Sequence, residues 1–393
     1  MPADVVRNLG PSTSQSSTGT AIGHAEDLEP VVLNIDPSMT ILMNKFGRLK
    51  KAKELDWSWF LEHLEPPQEN AWPEMMEYTF PDVGSLRMLR NYQQHLYKAG
   101  KITDAQNQSE KAYSQEDIAR EKMNILTQIG RDTEFAIVKN TISRGESGNQ
   151  VAMTGGVPFF MSKDEMECTV AITGIVTTTE DHKLKTGDFV YLQADTMPEG
   201  MDSEDVYYIR VLSDKTFQLY DSIEGAVKDI ASEKVAPTST GTSVKIVLNN
   251  VYDLGGEEDF TLDHVNHVLE LAKRRGGNPT EAYMSTKKFS RFNNLVNALV
   301  TTNRKSGENK VDMVTTTYIG PNGIVNAHAH QMYSDKRIDF YDMQYWHLKY
   351  FSPIHWVTGL AKTGTYEKFA AEGWVGLQAS QPLSSASLTG IKR

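Results

Sequence analysis

The chain has 393 residues, more than one minimal core needs, with 40 Lys and Arg against 51 Asp and Glu for a formal net charge of −11. Apolar residues make up 39% and charged residues 23%, and no apolar run approaches the roughly 20 residues of a membrane helix, so the composition is that of a multi-part globular protein. The acidic balance argues against a general nucleic-acid binder, and a single cysteine, Cys168, excludes an intramolecular disulfide and a cysteine metal framework, as fits a reducing cytoplasm.

Residues 1 to about 30 lack periodicity, contain PSTSQSSTGT and carry no secretory apolar core, which is the composition of a mobile tail. Arg48, Lys50, Lys51 and Lys53 form a basic run near Phe46, Trp57 and Trp59, read as a solvated or inter-subunit face. From Pro66 to Glu110 the text mixes Pro66, Pro67, Pro73 and Pro81 with RMLRNYQQHLYKAGKITDAQNQ, which alternates poorly and buries little. Such a weakly structured excursion calls for a partner, with Arg87, Arg90, Tyr92, Tyr97, Lys98 and Lys101 as its candidate contacts. Apolar positions at helical spacing predict a long helix from about Ser114 to Ser143, capped by Ser114 with Glu116 and Asp117 in its first turn and stopped near Gly145. Thirty residues at ~1.5 Å each would reach about 45 Å. Val170 to Leu248 is a succession of short β-type runs, with turns at Gly187-Asp188 and Ser213-Asp214-Lys215. From Glu180 to Lys234, thirteen acidic and six basic residues give this insert a net of −7. An amphipathic helix starts at Thr261, carries Lys273, Arg274 and Arg275 at its end and stops at Gly276-Gly277. A strand in NPTEAYMST, a helix from about Thr286 to Val300, and strands in DMVTTTYIG, GIVNAHAHQMY and the region from Ile338 to Phe351 complete a mixed order without a βαβ repeat.

The best candidate for metal chemistry is His328 with His330, two residues apart on a strand and so on one face, with His347 and His355 downstream. The alternation of a half-buried strand explains them better, because no carboxylate stands at a recognised ligand spacing. His264 and His267 read in the same way as part of an amphipathic helix, and Cys168 as an inert half-buried thiol. Glu257, Glu258 and Asp259 read as dipole charge before a helix, and Gly155-Gly156 as a turn with no helix N-terminus after it. No phosphate loop, dinucleotide fingerprint, nucleophile elbow or HExxH occurs, so no catalytic residue and no cofactor is assigned.

Two runs carry a resemblance. WHLKYFSPIHWVTGLAKTGTYEKFAAEGWVGLQASQP, from Trp346 to Pro382, combines a short strand, the element GLAKTG, a charged aromatic link (Tyr366, Glu367, Lys368) and a final alternating strand from Gly373 to Ala379. NIDPSMTILMNKF, from Asn34 to Phe46, is followed by Trp57 and the turn Leu64-Glu65-Pro66-Pro67. Together they resemble the two ends of a tailed-bacteriophage major capsid protein with the Johnson, or Hong Kong 97-type, fold. The resemblance implies an α+β subunit with a long spine helix and an inserted all-β domain. Its parts would be an N-terminal arm (1–65), an extended loop (66–110), the spine helix and part of the peripheral domain (111–167), the β-rich insertion (168–250), a peripheral-domain helix (251–282), an axial domain (283–355) and a return to the peripheral domain (356–393). It implies no enzyme activity, self-assembly into hexamers and pentamers of an icosahedral virion head around double-stranded DNA, assembly in the host cytoplasm, and no membrane. A separate scaffolding protein, a portal and a decoration protein are the implied partners, and Arg48, Lys50, Lys51 and Lys53 would face the lumen. Lys98 and Lys101 fall where some capsids cross-link a lysine to a neighbour's asparagine, a bond for which one sequence carries no sign. Two alternatives stay open: an encapsulin-like compartment shell, and a metal-dependent or sugar-binding protein built on the insert and the His328 strand.

Overall fold

A computed structural model gives the architecture and describes residues 40–62, 71, 73–75, 77, 87–108, 117–203, 205–299 and 317–393. The expected tail, the Ser114 cap and most of the proline-rich stretch lie outside these residues. The chain comes in through a short helix α1 (Ile41–Lys45) and a two-residue strand β1 (Gly47–Arg48). Strands β2 (Asp56–Leu61) and β3 (Arg87–Tyr92) pair antiparallel as a separate ribbon. Next come β4 (Gln94–Thr103), a short helix α2 (Asp104–Gln108), the long helix α3 (Asp117–Lys139) and a single turn α4 (Val157–Phe160). Six strands follow, β5 (Glu165–Val170), β6 (Ile175–Thr178), β7 (Phe189–Gln193), β8 (Val206–Ser213), β9 (Thr216–Tyr220) and, after helix α5 (Ile223–Lys228), β10 (Lys245–Val247). The rest is β11 (Val251–Asp253), α6 (Leu262–Arg274), β12 (Glu281–Met284), α7 (Thr286–Leu299), β13 (Thr317–Gly320), β14 (Gly323–Ala329), β15 (Ile338–Tyr341), β16 (Trp346–Trp356), β17 (Tyr366–Ala379) and β18 (Ala386–Thr389).

Strands β5 to β10 close into a barrel in the order β10-β5-β6-β9-β8-β7, so the all-β insert starts three residues before Cys168. Val170, Val176, Val190, Leu192, Ile209, Phe217, Leu219 and Ile246 fill it, as alternation around a small closed barrel requires. A second sheet runs β11-β18-β15-β12-β14-β13 and buries Ala282, Met284, Val325, Ile338 and Phe340 against α6 and α7. One position along each strand, Tyr283 and Tyr341 turn to the opposite face and join Phe46, Trp346, Leu348 and Leu377 in a second core. That core belongs to the third sheet, β1-β16-β17-β4, over which α3 lies through Ile125 and Ile129.

Three expectations change. The long helix ends at Lys139 rather than Ser143, because Asn140 donates its side-chain amide to Thr154 O at 2.8 Å and Gln94 Oε1 at 2.9 Å and turns the chain away. Its 23 residues span about 35 Å instead of 45. A four-residue helix does follow Gly155-Gly156, and Gly156 caps it while donating its N–H to Asn140 O at 3.1 Å. A Cβ on Gly156 would come within 2.5 Å of the Ala136 and Ile137 carbonyl oxygens, so only glycine fits against that helix end. The excursion expected through Glu110 gives way at Gln94 to a ten-residue strand, paired with β17 from Val375 opposite Gln94 to Tyr366 opposite Thr103. Its inward positions include Lys98 and Gly100, which hides the alternation; Gly100 is where the Phe369 ring packs. The charged aromatic link at Tyr366 is likewise the start of β17.

Candidate assembly surfaces

The ribbon is anchored along one face, where Trp59 packs on Phe160 with ring centroids 5.9 Å apart. Trp57 is buried at its base, with the indole N–H donated to Gln378 Oε1 at 3.0 Å. Asn91, fully buried, holds the opposite strand: its amide reaches Thr154 Oγ1, Gly155 O and Leu377 O, and its Oδ1 accepts the Gly155 and Tyr92 N–H groups at 2.8 Å each and the Ser143 hydroxyl at 2.7 Å. Of the candidate contacts, Arg90 and Tyr92 flank this asparagine. Arg90 is ion-paired with Asp56 across the ribbon and lies 5.0 Å from the Tyr92 ring centroid. The hydrogen bond to Asp56 raises its pKa above the ordinary guanidinium value. Arg87 is exposed at the far end of β3, opposite Leu61. Phe60 and Met88 stand directly opposite each other there and are 61% and 57% exposed.

Tyr97, Lys98 and Lys101 lie on β4 rather than on a loop. Tyr97 is exposed and stacks on His95, Lys98 pairs with Asp132 of α3 at 3.0 Å, and the Lys101 ammonium sits 5.7 Å from the Tyr366 ring centroid. The basic run follows the opposite edge of the same sheet, where β1 pairs parallel with β16 and the Leu49 and Ala52 N–H groups donate to Leu348 O and Tyr350 O. Arg48, Lys50, Lys51 and Lys53 are all exposed along it, while Ala52 is buried; Lys51 sits 5.9 Å from the Phe351 ring centroid. GLAKTG forms an exposed connection between β16 and β17, tied back by Lys362 to Asp104 at 2.8 Å. On the far edge of the six-stranded sheet, Ile319 and Ile324 face each other across β13 and β14, both exposed.

The histidines separate. His328 pairs with Glu281 and stacks on Tyr283, whereas His330, just past the end of β14, is fully buried with Nε2 2.7 Å from Glu134 Oε1. Carboxylates do therefore lie close by, brought from distant parts of the chain, but each takes one histidine. The same Glu134 accepts the Leu42 and Met43 N–H groups at 2.7 and 2.8 Å, so it ties α1, α3 and β14 together in place of a metal site. Among the described residues, no group of three or more His, Cys, Asp or Glu side chains could hold a metal ion. Asp259 also differs from its expected role: it pairs with Lys288 at 2.8 Å and Arg291 at 2.9 Å on α7. Burial acts to raise its pKa, but the Lys288 bond and charge outweigh that and lower it. Asn91 and Glu134 had no sequence signal, since their partners lie tens to hundreds of residues away.

A family model described as SU10 major capsid protein matches residues 11–392. No curated protein matches the chain. Among solved structures, it is similar to the chain in "Cyanophage A-1(L) capsid asymmetric unit", at 8% identity and a TM-score of 0.56, covering 94% of this chain and 98% of that one. It is also similar to the chain in "Capsid of native GTA particle computed with C5 symmetry", at 10% identity and a TM-score of 0.51, covering 97% and 98%. At these identities the two structures establish the fold, of Hong Kong 97 type, and the family match over nearly the whole length establishes the relationship: the chain belongs to the SU10 major capsid protein family, and it is a structural component of a tailed-phage virion.

Proposed function

We propose that the ribbon of β2 and β3 is a principal contact between subunits of a homo-oligomeric shell built from hexamers and pentamers around double-stranded DNA. The observation that carries this reading is the directly opposed Phe60–Met88 pair on a ribbon that has no third strand among the described residues. A two-stranded ribbon is marginal alone, and an apolar pair left in water on it gains from burial against another chain. In this reading residues 1–65 and 66–110 serve as arm and extended loop. Residues 111–167 and 251–282 with 356–393 form the peripheral domain, and 283–355 the axial domain whose Ile319–Ile324 edge faces neighbours. The barrel within 168–250, acidic in sequence, projects outward, where negative charge keeps particles apart. Arg87, Arg90, Tyr92, Tyr97, Lys98 and Lys101 lie on or beside the subunit contacts, and Arg48, Lys50, Lys51 and Lys53 face the lumen. Assembly takes place in the host cytoplasm with a separate scaffolding protein, a portal and a decoration protein. No observation favours a compartment shell holding an enzyme or a metal-dependent or sugar-binding protein.

The test places a charge on each side of the pair. The unsubstituted chain, expressed with its scaffolding protein, should give closed shells or capsomer rings by electron microscopy. Phe60→Asp with Met88→Asp should give soluble subunits with unchanged circular dichroism and no particles. Normal particles from the doubly charged chain would remove the ribbon from the subunit contacts.

A further inference from the structure

Where β17 begins, positive charge collects around a groove. Tyr366 to Phe369 pair with β4 only, because β16 ends at Trp356, opposite Ala371. On this open stretch Lys368 stands directly opposite Lys101, and the two ammonium groups lie 5.3 and 5.7 Å from the centroid of one ring, that of Tyr366. Like charges directly opposite each other weaken an antiparallel pair, so the fold gains nothing from this one. The Thr363 hydroxyl, and after it the charges of Lys368 and Lys101, hold the Tyr366 phenol below its ordinary value, which marks the local potential as positive. Lys122 of α3 adds a third charge, 5.9 Å from both the Trp356 and the Phe369 ring centroids, and Lys362 a fourth. Among the described residues only Lys362 of these four meets a carboxylate, Asp104 at 2.8 Å; Lys368 donates to the Thr363 hydroxyl at 2.6 Å. Lys122, Lys362 and Lys368 line an open groove of about 380 Å³, with Lys101 beside it. Trp356, Leu360 and Phe369 form its apolar wall, and Glu367 is the one carboxylate among its described lining residues.

We infer that this groove docks an acidic peptide segment of a partner protein, with one apolar side chain resting on Trp356 and Leu360 and the flanking carboxylates meeting Lys122, Lys368 and Lys101. Charge complementarity selects the partner: three ammonium groups that meet no carboxylate among the described residues surround an apolar wall, and the volume gives room for a few side chains rather than for a helix. A nucleic acid fits less well. Trp356 and Phe369 pack edge to face with centroids 6.5 Å apart and Lys122 lies over both, which leaves little open ring face for a base to stack on. Glu367 is tolerated beside an apolar side chain, whereas a nucleic acid carries a charge at every step. Lysines also guard open strand edges against pairing, but a guard needs no apolar groove beside it. None of these residues lies on the ribbon, so the site does not depend on the Phe60–Met88 contact.

Fluorescence anisotropy on unassembled full-length subunits tests this, with a short labelled peptide of glutamates around one leucine as the probe. The unsubstituted chain should bind the peptide, and bind it less as salt rises. Lys101→Gln with Lys368→Gln, with circular dichroism unchanged, should weaken binding about tenfold or more. Leu360→Ser should weaken it about threefold or more, and only when the probe carries leucine rather than serine at its centre. No binding by the unsubstituted chain, or equal binding by the glutamine variant, would overturn the inference and leave the lysines as guards of an open edge. Duplex DNA that displaces the peptide at equal charge concentration would overturn it in favour of a nucleic acid. A shift from oligomer to monomer in the glutamine variant, seen by light scattering with no peptide bound by either chain, would assign the lysines to a second copy of this chain and overturn it as well.

Discussion

The barrel of β5 to β10 and the ribbon of β2 and β3 are both antiparallel β structure, but among the described residues every barrel strand has two strand neighbours and each ribbon strand has one. Closure lets the barrel satisfy its ladder and bury Val176, Val190, Leu192, Ile209 and Phe217 completely within one chain. The ribbon is held on one face by Trp57, Asn91 and the packing of Trp59 on Phe160, and leaves Phe60 and Met88 exposed on the other. A buried core and an exposed apolar pair are thus separated in space, and each can be attacked without the other.

The largest effect should come from hollowing the barrel. Phe217 is fully buried, so Phe217→Ala removes its transfer free energy and leaves a cavity, at a cost of about 3–5 kcal/mol. Urea unfolding followed by circular dichroism measures it. A loss below ~1 kcal/mol would mean that the barrel is not a core of its own and that the comparison with the ribbon fails.

Acid should act next, where the barrel meets α6. His267 sits between Tyr191 of β7 and Tyr252, and burial pushes its pKa down to about 4. Glu270 and Asp202 act to raise it, and His264 and Arg274 act to lower it. The unfolded chain binds the proton near pH 6.5 and the folded one only near 4, so the unfolded state holds more protons in between. Stability is therefore complete above pH 6.5 and falls as the pH drops through 4, by on the order of 3 kcal/mol from this group. His267→Gln should flatten that part of the profile when urea midpoints are compared at pH 7 and pH 4.5, and an equally steep profile would assign the acid sensitivity elsewhere.

A smaller and local effect should follow at the ribbon's base. Asn91→Ala leaves Leu377 O, Gly155 N–H and Thr154 Oγ1 without this partner, costing about 2 kcal/mol or somewhat more. Hydrogen exchange should rise at the amides of β2 and β3 and stay unchanged in the barrel. Faster exchange in both regions would show that the two are not independent.

What the sequence revealed of these regions follows from the range of the interactions. The barrel strands and the β8–β9 turn at Asp214-Lys215 are written in adjacent residues, as are the start of α6 at Thr261 and its stop at Gly276-Gly277, so local pattern found them. The end of α3 at Lys139 depends on Asn140 reaching Gln94 and Thr154, and the seat of α1 on Glu134 reaching Leu42 and His330. Such partners are far apart in the chain, and no periodicity announces them. Arg90 and Tyr92 stood out by type, while Asn91 between them, which positions the strand, did not. β4 was obscured for a different reason: a glycine and a lysine occupy its inward positions, and alternation is visible only where inward residues are apolar.

That last point sets the smallest expected effect. Lys98 stood out as a charged residue on an unstructured excursion, whereas it lies on a ladder ten residues long and reaches Asp132 at 3.0 Å with both side chains about two-fifths exposed. An ion pair this exposed gains little over hydration, so Lys98→Gln should change subunit stability by about 0.5 kcal/mol or less. The urea midpoint should therefore move far less than for Asn91→Ala, and less still in high salt, because screening has already weakened the pair. A loss of 2 kcal/mol or more would mean that the pair is shielded from water in solution. The edge of β4 would then resemble the closed barrel rather than the ribbon, whose Phe60 and Met88 stay exposed.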